Sequence, residues 1–399
     1  MASTTGRKQT MKISDRAAAV APFYAMEFGK RAALLEGEGH RVIKLSLGEP
    51  DFGAPAPVLD AMREAMDGRP LAYTPALGNP ALRAAIARFY LDQHGLEIDP
   101  ARVVVTAGAS AALLLVLAAV VDPGDEIMMG DPSYPCNRQI AETFGARVSV
   151  VPTSTESRFQ LDEALVRSAW SDRTRALMIA TPSNPTGTSV PVAELAAMCE
   201  LARERGAWRI VDEIYLDLSD RGEDGEAPTS VLSIDPDAIV INSFSKYFGM
   251  TGWRLGWCIL PQVLVPVIER LAQNYFICPS APAQQAALAC FAPESLAICE
   301  ERRAEFAERR AIVVEGLASI GLLVPVPPDG AFYVYFDVSH TGLTSWEFCE
   351  RALDEAHVAL TPGRDFGHVT ADSHVRLSYA ASQDDLREGI ARLGRFLAR

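Results

Sequence analysis

Cysteine is sparse in this 399-residue chain: there are seven, and they form no CxxC pair and no ligand-like cluster with the six histidines. Such scattering is not that of a disulfide framework or a zinc site. It suits reduced thiols, so we predict a cytoplasmic protein with no metal site.

Long apolar runs are also missing. The most apolar stretch, "AALLLVLAAVV" at 111–121, is too short to span a bilayer and predicts a buried helix. The first sixteen residues are polar and lack the apolar core of a signal peptide. We expect residues 1–20 to be a mobile leader and the protein to have no membrane partner.

Positive charge is in deficit, with a formal net charge of −14 and a pI near 5.0. Nucleic acid and anionic membrane surfaces would repel such a chain, so neither is expected as its main partner. The composition, 49% hydrophobic and 22% charged, is that of an ordinary globular protein.

Short, nearly continuous apolar runs alternate with helical stretches such as 134–144 and 191–205. Strands that are apolar throughout are buried on both faces, which predicts an α/β fold whose mostly parallel sheet is covered by helices. The predicted strands are 102–108, 126–131, 147–152, 175–182, 208–215, 238–245 and 254–260.

The last hundred residues have a different pattern, which predicts a smaller α+β domain. Its expected elements are a long charged helix near 294–319, a hairpin at 321–338, a helix at 345–356, a strand at 375–380 and a closing helix. Between the two regions, "RGEDGEAP" at 221–228 is typical of a solvated loop.

Polar residues lie at the ends of four predicted strands. Three follow a strand: the segments "AGAS" (107–110) and "SNPTG" (183–187), and Lys246; the fourth, "DEIY" (212–215), is an acid-rich interruption of the predicted strand 208–215. Alone, each is ordinary: a small-residue turn, a proline turn, a capping aspartate, a solvated lysine. Together they fall at the edge where the carboxyl ends of parallel strands face a common crevice.

These motifs together resemble the class I/II aminotransferases, the pyridoxal-phosphate enzymes of fold type I. "SFSKYFGMTGWRLGW" (243–257) is similar to the family's lysine signature, "SNPTG" to its asparagine motif and "DEIY" to its aspartate–tyrosine motif. "LSLGEPDF" (45–52), "YTPALGNPALRAAI" (73–86), "TAGASAAL" (106–113) and "VRLSY" (375–379) match as well, in the family's order.

The resemblance implies a large domain that binds pyridoxal 5'-phosphate and a smaller α+β domain. We expect the large domain at 48–293, the small domain at 294–399, and a segment at 21–47 that packs with the small domain.

The resemblance also assigns roles around the cofactor ring. Lys246 is the amine to which the cofactor aldehyde bonds, and Asp212 keeps the pyridine nitrogen protonated. Asn184 and Tyr215 donate hydrogen bonds to the phenolic oxygen, and Tyr134 stacks on the ring face. Lys246, Asp212 and Tyr215 are the expected catalytic residues, with the freed lysine as general base.

The phosphate of the cofactor is assigned to the start of a helix and to the lysine segment. The expected contacts are Gly108, Ala109, Ser110, Ser243, Ser245 and Arg254. Tyr73 matches a tyrosine that reaches the phosphate of a neighbouring subunit, so a homodimer is implied.

Arg376 matches the arginine that binds the α-carboxylate of the substrate through two parallel hydrogen bonds, with Gly48 and Asn184 as helpers. Phe23 and Tyr24, in the apolar strip "APFYAMEF", are expected to flank the entrance. The expected reaction moves an amino group from an L-amino acid, preferably neutral or hydrophobic, to a 2-oxo acid such as 2-oxoglutarate.

Two alternatives remain open at this point. A carbon–sulfur β-lyase would use the same Lys246, Asp212 and Arg376 on the same scaffold. A non-catalytic ligand-sensing module is more remote, because the chain is acidic and shows no basic helix-turn-helix segment.

Overall fold

The computed structural model describes residues 11–222 and 224–398, and all structural statements concern these residues. The strands are β1 (Ile43–Lys44), β2 (Val103–Thr106), β3 (Glu126–Asp131), β4 (Arg147–Pro152), β5 (Thr174–Ala180), β6 (Trp208–Asp212), β7 (Ile239–Ser243), β8 (Gly256–Ile259), β9 (Tyr333–Asp337), β10 (Val358–Ala359), β11 (Thr361–Pro362) and β12 (His374–Ser378).

The α-helices begin with α1 (Asp15–Ala19), α2 (Tyr24–Gly37), α3 (Ala56–Ala65), α4 (Pro80–His94), α5 (Ala109–Val120), α6 (Pro135–Thr143) and α7 (Glu163–Ala169). They continue with α8 (Val192–Glu204), α9 (Val265–Tyr275), α10 (Ala281–Ala287), α11 (Pro293–Ser319), α12 (Ser345–Ala356) and α13 (Gln383–Leu397).

The central sheet has seven strands in the order β2-β8-β7-β6-β5-β3-β4. All of them are parallel except β8, which runs antiparallel to both of its neighbours. The inner strands β7 and β8 are buried along their whole length, as expected for strands with helices on both faces. The predicted α/β fold with a mostly parallel sheet is therefore confirmed.

Helix α5 is the predicted buried helix of the apolar run. Seven of its twelve residues are buried, and it packs against β7, β8 and α9. The crossover helices expected at 134–144 and 191–205 are α6 and α8.

Two predicted strands are shorter than expected at the edge where the polar motifs lie. Strand β6 ends at Asp212, and the chain then turns through residues 213–215 into a 3-10 helix. Strand β8 begins at Gly256 because Arg254 has a φ of +54°, a left-handed conformation that ends extended structure. Both changes place side chains at the sheet edge instead of within a strand.

The hairpin predicted at 321–338 is wrong. Only β9 forms there, and it pairs antiparallel with β12, as does β11, in a separate three-stranded sheet. Three prolines between 325 and 328 explain the failure, since proline donates no hydrogen bond to a strand partner.

The long helix, the helix at 345–356 and the closing helix are found as α11, α12 and α13, and the strand at 375–380 corresponds to β12. A short parallel pair, β1 with β10, ties the segment after α2 to this carboxyl-terminal region. The proposed division into domains at 47/48 and 293/294 stays a prediction.

The expected leader lies partly outside the described residues, because residues 1–10 are not described. Its described part contains α1, and Arg16 donates a hydrogen bond to the Thr143 carbonyl at the end of α6. The predicted loop at 221–228 has no helix or strand among its described residues. Across the described ranges, no helix combines the length and apolarity that crossing a bilayer requires.

Candidate active site

A cavity of about 450 Å³ opens at the carboxyl ends of β5, β6 and β7, between the central sheet and β9 and β12. Thirteen of the residues predicted for the site line it: Phe23, Gly48, Ala109, Ser110, Tyr134, Asn184, Asp212, Tyr215, Ser243, Ser245, Lys246, Arg254 and Arg376. The fold thus gathers into one cavity side chains that are up to 353 positions apart in the sequence.

Lys246 follows the end of β7 by three residues, and its Nζ donates a hydrogen bond to the Gly48 carbonyl at 2.6 Å. Burial lowers the pKa of Lys246 to about 8; Glu49 opposes this shift, and the positive charges of Arg376 and Arg254 add to it. A larger fraction of this amine is neutral near pH 7 than for an ordinary lysine. A neutral amine is the form that acts as a nucleophile or base.

Asp212 is the last residue of β6 and is only 7% exposed. Its Oδ1 accepts a hydrogen bond from the Ile214 backbone at 3.1 Å. Burial raises the pKa of Asp212 to about 6, while Lys246 acts in the opposite direction. Among the described residues no cationic side chain lies within salt-bridge distance of this carboxylate. A ligand with a positively charged group at this point would stabilise its ionised form.

Asn184, Tyr215 and Tyr134 line the same cavity as these two residues. The Asn184 Oδ1 accepts from Arg376 Nη1 at 2.8 Å, which leaves the Asn184 Nδ2 to donate into the cavity. The Tyr215 hydroxyl lies 2.8 Å from the Tyr333 hydroxyl. Burial raises the pKa of both Tyr134 and Tyr215 well above the ordinary range, so both phenols are neutral donors.

The start of α5 and the segment after β7 form an anion cradle. The first N–H groups of a helix, here those of Ala109 and Ser110, have no partner within it and attract anions. Gly108, at φ +85°, lets the helix approach Arg254: a Cβ at 108 would lie 2.7 Å from the Arg254 Nη2. A Cβ at Gly256 would lie 2.9 Å from the Ala109 nitrogen. Both glycines are therefore needed for this close approach.

The two serines of the cradle support one another. The Ser243 hydroxyl lies 2.9 Å from the Ser245 hydroxyl and accepts a hydrogen bond from the Ser245 backbone. It also lies 3.1 Å from the Leu255 carbonyl, so Ser243 is largely engaged with the protein. Arg254 donates to the Thr251 carbonyl at 3.0 Å and has no carboxylate partner among the described residues. Its charge is therefore free for an anion.

Arg376 lies in the middle of β12 and is 1% exposed. Its Nη1 donates to Asn184 and its Nη2 to the Ser46 carbonyl and the Thr361 hydroxyl, whereas Nε has no partner. No carboxylate in the described chain pairs with this buried guanidinium. A buried, unpaired arginine in a cavity is a receptor for a carboxylate ligand.

Three predicted residues are not part of the cavity lining. Gly108 lies next to the Arg254 guanidinium, at the start of α5. The Tyr24 ring packs edge-on against Trp346 at 5.3 Å, and its backbone N–H donates to Asp365 at 2.7 Å, so the ring is turned away from the entrance. Tyr73 is 80% exposed and touches no part of the cavity of its own chain.

Sequence reasoning missed two cavity residues that bear on the chemistry. Glu49 lies in the quoted segment "LSLGEPDF", directly after Gly48, and could have been found by its position. Tyr333 lies in "GAFYVYF", where nothing in the local pattern separates it from the other aromatic strand residues. The cavity lining also contains apolar residues that were not predicted as part of the site, among them Met26, Leu47, Leu113 and Ile214.

The chain matches known proteins over nearly its full length. The family model "Aminotransferase class I and II" matches residues 40–393. The valine–pyruvate aminotransferase of Mycobacterium tuberculosis is 39% identical over 380 residues, which cover 95% of this chain and 97% of that protein. The aspartate/prephenate aminotransferase of Thermus thermophilus is 35% identical over 390 residues, with coverage of 97% and 99%.

A solved structure gives the same answer for the fold. A crystal structure of an aminotransferase from Mycobacterium tuberculosis matches with a TM-score of 0.93 at 38% identity, covering 98% of this chain and 100% of that chain. These matches show that the chain belongs to the class I and II aminotransferases and has the fold type I architecture.

Proposed function

We propose that this aminotransferase works with pyridoxal 5'-phosphate held in the cavity at the carboxyl ends of β5, β6 and β7. The observation that carries the proposal is the combination of Lys246, Asp212 and the anion cradle in one enclosed space. The cofactor presents an aldehyde, a basic ring nitrogen and a phosphate, and each has a matching group here. When bound, it supplies an aldehyde that captures amines and a ring that withdraws electrons from the substrate Cα.

The residues around the ring have separate tasks in this proposal. Asp212 holds the proton on the ring nitrogen, because a buried carboxylate without a cationic partner favours a neighbouring positive charge. Asn184 and Tyr215 donate hydrogen bonds to the phenolic oxygen. Tyr134 covers one face of the ring.

The phosphate group is assigned to the cradle. The N–H groups at the start of α5 and the Arg254 guanidinium provide donors and positive charge, and Ser245 adds a hydroxyl that Ser243 orients. Since Arg254 has no carboxylate partner in the described chain, binding the phosphate breaks no ion pair.

Lys246 is the proposed base. Its lowered pKa leaves part of the population neutral near pH 7, and in that form the Nζ can accept the proton that leaves the substrate Cα. Arg376 holds the substrate α-carboxylate, which fixes the direction of the Cα–H bond relative to Lys246.

The cavity favours a neutral or hydrophobic amino donor. Of the described lining residues only Lys246, Arg254 and Arg376 are cationic, and each is already assigned. The acidic Glu49 also lines the cavity and would repel a second carboxylate. Phe23, together with Met26, Leu47 and Ile214, supplies apolar surface for a side chain. The valine–pyruvate name of one relative agrees with such a donor.

The acceptor is a 2-oxo acid. We propose 2-oxoglutarate as one candidate, and pyruvate, which has no distal carboxylate, as the acceptor that suits the same apolar surface. We further propose a cytoplasmic homodimer. All seven cysteines are free thiols, and the strongly exposed Tyr73 is accessible to a neighbouring subunit.

A panel of amino donors tests the function. The purified holoenzyme is incubated with valine, leucine or aspartate, each with pyruvate or 2-oxoglutarate, and with alanine plus 2-oxoglutarate or glutamate plus pyruvate, and both products are measured. Equal amounts of new amino acid and new 2-oxo acid, highest for the neutral donors, are expected. With cystathionine as the sole substrate and no acceptor, formation of pyruvate, ammonia and homocysteine would instead identify a carbon–sulfur β-lyase. No turnover with any donor, and no change in the cofactor spectrum, would contradict catalysis.

A further inference from the structure

Tyr333 contacts three residues of the site: Tyr215, Arg376 and Gly48. It is the first residue of β9, is fully buried and lines the cavity. Its hydroxyl lies 2.8 Å from that of Tyr215, and its ring centroid lies 4.6 Å from the Arg376 Cζ. A Cβ added at Gly48 would lie 2.2 Å from the Tyr333 hydroxyl, so this hydroxyl rests against the backbone whose carbonyl accepts from Lys246.

The hydroxyl of Tyr333 determines what the hydroxyl of Tyr215 can do. Either of the two can be the donor in the bond between them. If Tyr215 donates to a ligand, its oxygen must accept from Tyr333, because each hydroxyl has a single proton. A phenol that accepts a hydrogen bond is polarised and becomes a stronger donor itself.

The ring of Tyr333 determines where the Arg376 guanidinium lies. Arg376 is also 4.8 Å from the Phe366 ring, so two aromatic rings contact the same planar group. In a buried setting such cation–π contacts are strong and constrain the guanidinium plane. The Nε of Arg376 has no hydrogen-bond partner. Hydrogen bonds to the protein therefore hold only part of the guanidinium, and the ring contacts add to its restraint.

We propose that Tyr333 is a positioning residue of the transamination site, acting through its hydroxyl on Tyr215 and through its ring on Arg376. The inference rests on the proposed binding of pyridoxal phosphate in this cavity. It predicts that the two effects can be separated by substitution, since one needs only the hydroxyl and the other only the ring.

Two variants separate the effects. Tyr333→Phe keeps the ring, and Tyr333→Leu removes both groups; Tyr333→Met replaces the latter if the leucine variant does not fold. The first readout is the pH midpoint of the visible absorption change of the bound cofactor. The second is the Kd of 3-methylbutanoate, a carboxylate that has the valine side chain but no amine and cannot react.

In Tyr333→Phe the pH midpoint should rise by about 0.5–1 unit, because a weaker Tyr215 donor stabilises the cofactor's anionic oxygen less. The Kd of 3-methylbutanoate should stay within about twofold of wild type. In Tyr333→Leu the midpoint should rise similarly, and the Kd should increase on the order of tenfold as the ring contact is lost.

Tyr335→Phe is the matched control. Tyr335 lies on the same strand, is equally buried, and its hydroxyl pairs with Thr370 at 2.7 Å outside the cavity lining. Neither readout should change in this variant. An unchanged midpoint in Tyr333→Phe, or unchanged 3-methylbutanoate binding in the variant without the ring, would overturn the proposal. Failure of the wild-type apoprotein to bind pyridoxal phosphate would instead refute the proposed function itself.

Discussion

Replacing Arg376 by lysine keeps the positive charge but removes the planar fork. The guanidinium now makes hydrogen bonds to Asn184, Thr361 and the Ser46 carbonyl and lies between two aromatic rings at 4.6 and 4.8 Å. An ammonium group cannot keep these contacts and also bind both oxygens of a carboxylate. We expect kcat/KM to fall by at least about 2–3 kcal/mol of transition-state stabilisation, roughly 30- to 160-fold.

The assay is steady-state kcat/KM for each accepted amino donor. The loss should be similar for every donor, because all carry the α-carboxylate, and the affinity of the apoprotein for the cofactor should not change. Arg209→Lys is the matched control, since Arg209 is also buried and makes a bidentate pair with Asp235 at 2.7 and 3.0 Å, away from the cavity. It should lower the melting temperature and leave kcat/KM within about twofold. A loss confined to dicarboxylic donors would refute the assignment, because Arg376 would then bind the distal carboxylate.

Other substitutions test other parts of the site. Lys246→Ala should abolish turnover, and in the wild-type apoprotein the rate of covalent cofactor capture should rise with pH around a midpoint near 8, because the neutral amine forms above that pH. Asp212→Asn should cut the single-turnover rate by orders of magnitude. The folded pKa of Asp212, about 6, lies above its ordinary value of 3.8, so the cost of burying its charge builds up as the pH rises from about 4 to 6 and is complete above pH 6. The apo Asp212→Asn variant should therefore melt at a higher temperature than wild type at pH 7.5, with a smaller difference at pH 5; equal melting at both would contradict this. Arg254→Gln should weaken cofactor affinity at least about tenfold, measured by titration of the apoprotein. Glu49→Gln should raise kcat/KM for aspartate relative to valine, and an unchanged ratio would remove Glu49 from the account of specificity.

The central sheet was predictable because burial on both faces leaves a strong trace in the sequence. The first three residues of β7, "IVINS", are apolar, and its two polar residues come at the end of the strand, where the site lies. Residues that follow such strands share one edge, so the positions of Asn184, Asp212 and Lys246 in the fold followed from the order of the runs. The hairpin does not form, because the prolines at 325, 327 and 328 cannot donate hydrogen bonds to a strand partner.

The site was less predictable where the side chains of neighbouring residues make contacts in different parts of the structure. Phe23 caps α2 and lines the cavity, whereas Tyr24, one residue later, turns against Trp346. In "DEIY", Asp212 faces the cavity, but Glu213 accepts hydrogen bonds from Ser230 and Val231 and anchors a loop. The direction of a side chain at a strand end depends on packing with distant segments, which the local sequence does not encode.

Tyr333 is a cavity residue that the local sequence did not identify. Its contacts with Tyr215 and Arg376 arise only because β9 pairs with β12, and that pairing joins segments 41 residues apart at Tyr335 and Arg376. A pattern of alternating aromatic residues predicts a strand, but it does not identify which residue reaches a cavity.

The most direct measurement of the central claim is to identify the residue that carries the cofactor. The holoprotein is reduced with borohydride, digested, and analysed by mass spectrometry for the peptide that retains the pyridoxyl group. The account predicts a single labelled peptide with the group on Lys246 and no label in Lys246→Ala. Label on any other lysine, or a wild-type protein that retains none, would contradict the proposed site.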